Sequence, residues 1–302
     1  MQLEATNLRM KLKGIDYLMI CIILLLTIIT VNGLFSFKTD KSFMFLNQYG
    51  DNVKIFGSGI YAHDSYFKAP ILIGSDFTML FMVVPMMVVA LVGDIKRRTQ
   101  KTKLFLIATV ATVLYYATSI VFGVTYNSLL LLYIALFSSS LFGLIALIIS
   151  IDLAKLHLVQ SLELPTKGLK IFLILSGIAL FVAWLPDIIP TLFSGKSLLL
   201  IENYTTEVTY GIDMGIVSPM IFICLYLLNK KDGAGSILLA IILTLCAVMG
   251  AMLPMQTIYQ IVAGIVIPVP VLIIKVGIFV VLAMFAVYFD IRLFKNSGHS
   301  AV

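Results

Sequence analysis

A 302-residue chain that is 61% hydrophobic and only 12% charged has too little polar surface to wrap a water-soluble core, which excludes a soluble enzyme or a soluble binding module. Its 21 Lys and Arg exceed its 15 Asp and Glu, but they sit in short clusters beside apolar runs, the pattern that meets cytoplasm and anionic lipid rather than nucleic acid. Cys21, Cys224 and Cys246 fall inside apolar runs, where thiols pack as small hydrophobes, so no disulfide framework is expected.

The first apolar run, about 15–35, follows a basic start with Arg9, Lys11 and Lys13. No small-x-small cleavage pattern comes after it, and it reads as a signal anchor. Residues 36–75 then form a long connection carrying Gly50, Gly57, Gly59 and Gly74 among Tyr49, Phe56, Tyr61, Tyr66 and Phe67. Connections of this length are usually functional or disordered, and the aromatic content predicts an ordered cap on the bundle. Its aspartates, Asp40, Asp51, Asp64 and Asp76, read as turn and cap residues, with Asp76 capping the second span. His63 beside Asp64 is one histidine where a two-histidine metal site needs a second.

Further apolar runs lie at about 76–94, 104–124, 128–151, 170–190, 206–229, 235–256 and 263–289. Each supplies the roughly 20 residues a helix needs to cross about 30 Å of hydrocarbon. No window alternates as a barrel strand does. The expected fold class is all-α: a polytopic membrane helical bundle of about eight transmembrane helices, forming a single transmembrane domain over 1–302. Basic residues gather in every second connection: after the second span (Lys96, Arg97, Arg98, Lys101, Lys103), the fourth (Lys155, Lys167, Lys170), the sixth (Lys230, Lys231) and the eighth (Arg292, Lys295). With the N-terminal group that makes fifteen on one side, against five on the other, Lys38, Lys41, Lys54, Lys68 and Lys196. The bias places both termini in the cytoplasm and the 36–75 loop outside. The chain resembles the multi-spanning proteins of bacterial membranes, a likeness that implies no particular chemistry, and the expected location is the plasma membrane, here a bacterial cytoplasmic membrane.

Ionisable groups inside spans cost about 2.5–3.5 kcal/mol each on insertion scales and should therefore find partners. Lys275 lies within the eighth span, about 10 Å below its loopward end at about 1.5 Å per residue. Asp213 lies at nearly the same depth in the sixth span, so a Lys275 to Asp213 pair is expected, with a cost of about 3–5 kcal/mol if one partner is removed. Thr206, Tyr210 and Asp213 share one stripe of the sixth helix with Glu207 at its mouth, while Gly211 and Gly215 form a small-x-x-x-small pair on the other face that predicts close helix approach there. Thr112, Tyr115, Tyr116 and Ser119 of the third span, Ser138, Ser139 and Ser140 of the fourth, Asp187 between Pro186 and Pro190, and Gln256 after Pro254 reach similar levels. Such residues also serve as packing contacts between helices. Pro268 and Pro270 predict an unwound or kinked stretch, or a plain helix end, and Pro85 and Pro219 predict kinks.

The sequence carries no metal signature, nucleotide loop or catalytic triad, and implies no cofactor. The functional expectation is a multi-pass plasma-membrane protein that binds or transports a small polar or amphiphilic ligand through an outward-facing polar cavity. Its ligand-binding residues are expected to be Asp213, Lys275, Tyr210, Tyr115, Glu207 and Asp187. One alternative is an intramembrane enzyme acting on a lipid or lipid-linked substrate, with Asp187, Glu207 or His63 and Asp64 as acid-base groups. Another is a non-catalytic subunit of a membrane complex. The partners implied are membrane lipids, a small-molecule ligand and a possible membrane-protein partner.

Overall fold

The computed structural model describes residues 2–153, 156, 166–198 and 200–295, with side chains from Lys13 onward. Arg9, Lys11, Lys155, His157 and His299 lie outside the residues whose side chains are described. Among the described residues, eight helices are long and apolar enough to cross a membrane. They are α1 (Gln2–Leu34), α2 (Lys68–Arg97), α3 (Gln100–Gly123), α4 (Leu130–Ile149), α5 (Lys167–Ser194), α6 (Val208–Asn229), α7 (Gly233–Val262) and α8 (Val269–Lys295). The all-α expectation needs one amendment, because the first loop contains an antiparallel hairpin, β1 (Phe43–Leu46) with β2 (Asn52–Ile55).

Several helix starts are written in the sequence. Thr99 accepts from the Thr102 amide in a capping box that opens α3, Thr166 accepts from the Leu169 amide at α5, and Asp232 accepts from the Ala234 amide at α7. The second span departs most from expectation. It begins at Lys68, with Pro70 in its first turn, so Asp76 is no cap but a fully buried residue of the third turn.

Among the described residues, three helices contain a π turn. The Val84 amide bonds back five residues to Met79, the Ser218 amide to Asp213, and the Ile278 amide to Ile273. In α2 and α6 a proline follows at once, Pro85 and Pro219, and a proline already deprives the carbonyl four residues earlier of its donor. The two prolines thus mark widened turns rather than plain kinks.

Helices α3 and α7 form the centre, with 67% and 61% of their apolar windows buried, whereas α8 is peripheral at 11%. The close approaches occur where sequence reasoning did not place them. A Cβ on Gly74 of α2 would lie 2.5 Å from the Gln256 Cα of α7, and one on Gly250 of α7 would lie 2.0 Å from the Ala283 Cβ of α8. At Gly211 and Gly215 a Cβ would meet nothing within 4 Å, so the expected helix contact on that face of α6 is not made.

The first loop is ordered over the bundle. Its core, Phe56 and Tyr61 with Ala69 and Ile73 of α2, is fully buried, and its far edge is tied to the α5–α6 connection. Asn47 donates to the Glu202 carbonyl at 2.6 Å, Gln48 to the Tyr204 carbonyl at 2.8 Å and Asn203 to the His63 carbonyl at 2.9 Å. Asp64, expected as a turn residue, is instead fully buried and accepts from the Tyr204 hydroxyl at 2.8 Å and the Thr125 amide at 3.0 Å.

Candidate functional site

Tyr115 and Tyr116 are consecutive on the central helix α3, hence about 100° apart around it. Each donates to a carboxylate on a different helix. Tyr116 bonds Asp76 of α2, which also accepts from Tyr61 at 2.6 Å, and this cluster has no solvent exposure at its carboxylate. Tyr115 bonds Asp213 of α6 at 2.8 Å, and the second oxygen of Asp213 accepts from Trp184 Nε1 of α5 at 2.9 Å. Both oxygens are thereby held by neutral donors, which satisfies a buried carboxylate without a cation.

The Trp184 ring stacks on Tyr210 with centroids 4.5 Å apart and planes inclined by 23°. Tyr210 in turn donates to Asp187 Oδ2 at 2.8 Å, and the same oxygen accepts from Lys275 Nζ at 2.5 Å. The Lys275 ammonium also lies 5.1 Å from the Trp184 ring centroid. The expected Lys275 to Asp213 pair is therefore corrected: Asp187, one turn above Trp184 on α5, takes the lysine, while Asp213 is held by Tyr115 and Trp184. Nearer the loop, Lys68 bonds Glu207 at 2.7 Å and covers the Tyr204 ring at 4.1 Å.

All six residues singled out from the sequence, Asp213, Lys275, Tyr210, Tyr115, Glu207 and Asp187, line one cavity of about 1140 Å³. Its loopward part adds Lys68, Glu202 and Gln256 to the six, and its deeper part is mainly apolar, with Leu180, Val217, Ile221, Leu245, Met249 and Met252 around the hydroxyl of Ser176. The volume slightly exceeds the roughly 300–1,000 Å³ typical of small-molecule sites. The Lys275 and Asp187 side chains are 23% and 28% exposed, so the ion pair faces the cavity rather than closed protein.

Other candidates fall away from the site. Ser139 and Ser140 bond carbonyls of their own helix, as does Thr112, and none of these lines the cavity. Asp64 is sealed in the cap, where burial pushes its carboxyl up from 3.8 to about 6. Burial likewise raises Glu202 above the usual carboxylate range, although the Ser65 hydroxyl bonds it. Trp184 is the functional residue that sequence reasoning missed. It is the chain's single tryptophan and stands three residues before Asp187, on the same helix face, which was a usable signal.

No protein-family model, curated protein or solved structure matches the chain.

Proposed function

We propose that this is a multi-pass plasma-membrane protein that binds or transports a small amphiphilic ligand through the intramembrane cavity. Both termini would then face the cytoplasm and the 36–75 loop would cover the outer mouth. The observation that carries the reading is the convergence of Asp213, Asp187, Lys275, Tyr210, Tyr115 and Glu207, from four helices and the edge of a loop, on one cavity with a mainly apolar floor. Ionisable groups at membrane depth mark ligand or ion pathways more often than packing does. The orientation rests on the basic cluster Lys96, Arg97, Arg98, Lys101 and Lys103 at the α2–α3 turn, at the end of the bundle opposite the cap.

The chemistry of binding follows from the ion pair. Lys275 and Asp187 are both reachable from the cavity, so a charged ligand group competes with one partner for the other. Transport requires that exchange to be reversible, and an incoming charged group that replaces one partner leaves the other paired, which permits it. The intramembrane-enzyme alternative is weaker. Asp187 and Glu207 each have a lysine as partner, so either would have to give up that ion pair before acting on a substrate.

Trp184 provides the experiment, because it is the chain's single tryptophan, lies on the cavity wall, and can be excited at wavelengths where tyrosine does not absorb. Titrating the purified protein with alkyl phosphates, alkyl carboxylates and alkylamines of increasing chain length should give a saturable change with at least one series. No saturable change with any of them, and no protection against thermal unfolding, would remove the ligand-binding reading.

A further inference from the structure

We propose that the ligand is an amphiphile with an anionic headgroup that enters from the bilayer, between α5 and α8, by replacing Asp187 as the partner of Lys275. This rests on the cavity being a ligand site, as proposed above, and adds the route and the chemical class.

The route follows from how α8 is held. Val271, Leu272, Lys275, Val276, Phe279 and Leu282 line the cavity, and of these Phe279 and Leu282, on the lower part of the helix, also pack against the hydrophobic core. No residue from 269 to 277 is buried. Burial begins at Ala283, the residue packed against Gly250 of α7. The helix is thus anchored along its lower part and stands as a wall above it. On α5 the buried residues likewise stop at Ala183, one residue before Trp184. Among the described residues, the ion pair that joins these two loosely packed halves is Lys275 to Asp187, with the ammonium against the Trp184 ring. The outward surfaces on either side are apolar, with Leu192 and Phe193 of α5 at 74% and 88% exposure and Val269 and Ile273 of α8 at 65% and 59%. In a membrane, such surfaces border acyl chains, so parting the pair opens the cavity to lipid.

The sign of the headgroup follows from what each partner keeps when the pair parts. Asp187 retains the Tyr210 hydroxyl. Asp213, in the same cavity, shows that a carboxylate here is held by a tyrosine and a tryptophan alone. Lys275 has no second hydrogen-bond acceptor among the described residues. An ammonium at this depth needs an anion, so the species that displaces Asp187 supplies one. The apolar floor then takes the chain, because burying alkyl surface is what such a lining favours. An anion that lacks a chain gains nothing from it.

The test uses the full chain in lipid nanodiscs and Trp184 emission. Dodecyl phosphate should give a saturable change, while inorganic phosphate at the same concentrations and dodecyltrimethylammonium should not. Lys275→Met should weaken dodecyl phosphate at least ten-fold. Asp187→Asn, which frees the lysine beforehand, should tighten it several-fold, so the two variants move in opposite directions. In discs containing a phospholipid brominated on its acyl chain, quenching of Trp184 should be deeper with a phosphatidylglycerol than with a phosphatidylcholine, and this difference should vanish in Lys275→Met. Saturation by inorganic phosphate with equal affinity would overturn entry from the bilayer and leave the cavity a site for water-borne ligands. Tighter binding of the quaternary ammonium would overturn the headgroup assignment. Equal quenching by the two brominated lipids would overturn the headgroup assignment, absence of quenching by either would overturn the lateral route, and silence of Trp184 towards every probe would remove the underlying site as well.

Discussion

The two carboxylate clusters on either side of α3 are built from the same parts and do different things. Asp76 is held by two tyrosines in a site with no exposure, against Gly33 of α1. Asp213 is held by a tyrosine and a tryptophan, but beside a second carboxylate, Asp187, whose lysine partner is open to a large cavity. Neutral ring donors satisfy an acid in both cases. What separates a structural bond from a candidate site is the room around it, and one residue of α3, Tyr116 or Tyr115, decides which side the hydroxyl serves.

That contrast can be broken from the sealed side first. Gly33→Ala would place a methyl 1.7 Å from the Asp76 carboxylate, and overpacking of this kind should cost about 3 kcal/mol or more, read as a large fall in Tm. A mild effect would mean that the cluster yields, and that it is not the rigid member of the pair. Asp76→Asn keeps the shape but offers one acceptor for two hydroxyl donors, so thermal unfolding should register a loss of about 1–3 kcal/mol, with ligand response at Trp184 unchanged.

On the open side the stability effect should be smaller. Lys275→Ala removes a pair that lines the cavity but leaves Asp187 with the Tyr210 hydroxyl, so the loss in the same unfolding assay should be smaller than that of Gly33→Ala. A loss of several kcal/mol would make the pair a structural bond like that of Asp76 and dissolve the contrast.

The smallest expected effect concerns a third buried acid, Asp64 in the cap. Its folded carboxyl titrates near 6, against 3.8 without the fold. Between about pH 4 and pH 6 the folded cap keeps a proton that the unfolded chain has lost, so this group makes stability fall as pH rises through that window and leaves it level above. Glu202, also raised by burial, adds a slope of the same sign. Asp64→Asn retains the acceptor for Tyr204 and Thr125 while removing the carboxylate oxygen that has no partner. The variant should therefore unfold at a slightly higher temperature at pH 7.5, with a flatter profile from pH 4 to 6. A lower Tm at neutral pH would show that the charge itself is used.

Much of this was legible in the sequence, for physical reasons that also mark its limits. Eight apolar runs follow from the thickness of the membrane, and depth along a helix is nearly proportional to residue number, so residues destined for one level can be named in advance. Lateral position carries no such signal. Depth alone put Asp213, Asp187 and Lys275 within reach of one another, and packing chose Asp187 for the lysine. The second span was read too short because Gly74, Ser75 and Asp76 interrupt its hydropathy, although Pro70 in the first turn marks the true start. Gly211 and Gly215 looked like a contact face because spacing reveals that two small residues align, and not whether a helix lies opposite.

A π turn holds one residue more than an α turn, so each of the three can be regarded as an insertion absorbed within a helix without breaking it. In α6 the extra residue falls immediately after Asp213 begins the turn. Deleting Met214 would restore the ordinary ladder and rotate everything loopward of the lesion by on the order of 100° relative to the lower helix. Asp213 and Tyr210 would leave the cavity wall together, while the hydrophobic length of the span would hardly change. The span is thus a helix in two phases, and its chemistry depends on a count of residues as much as on their kind.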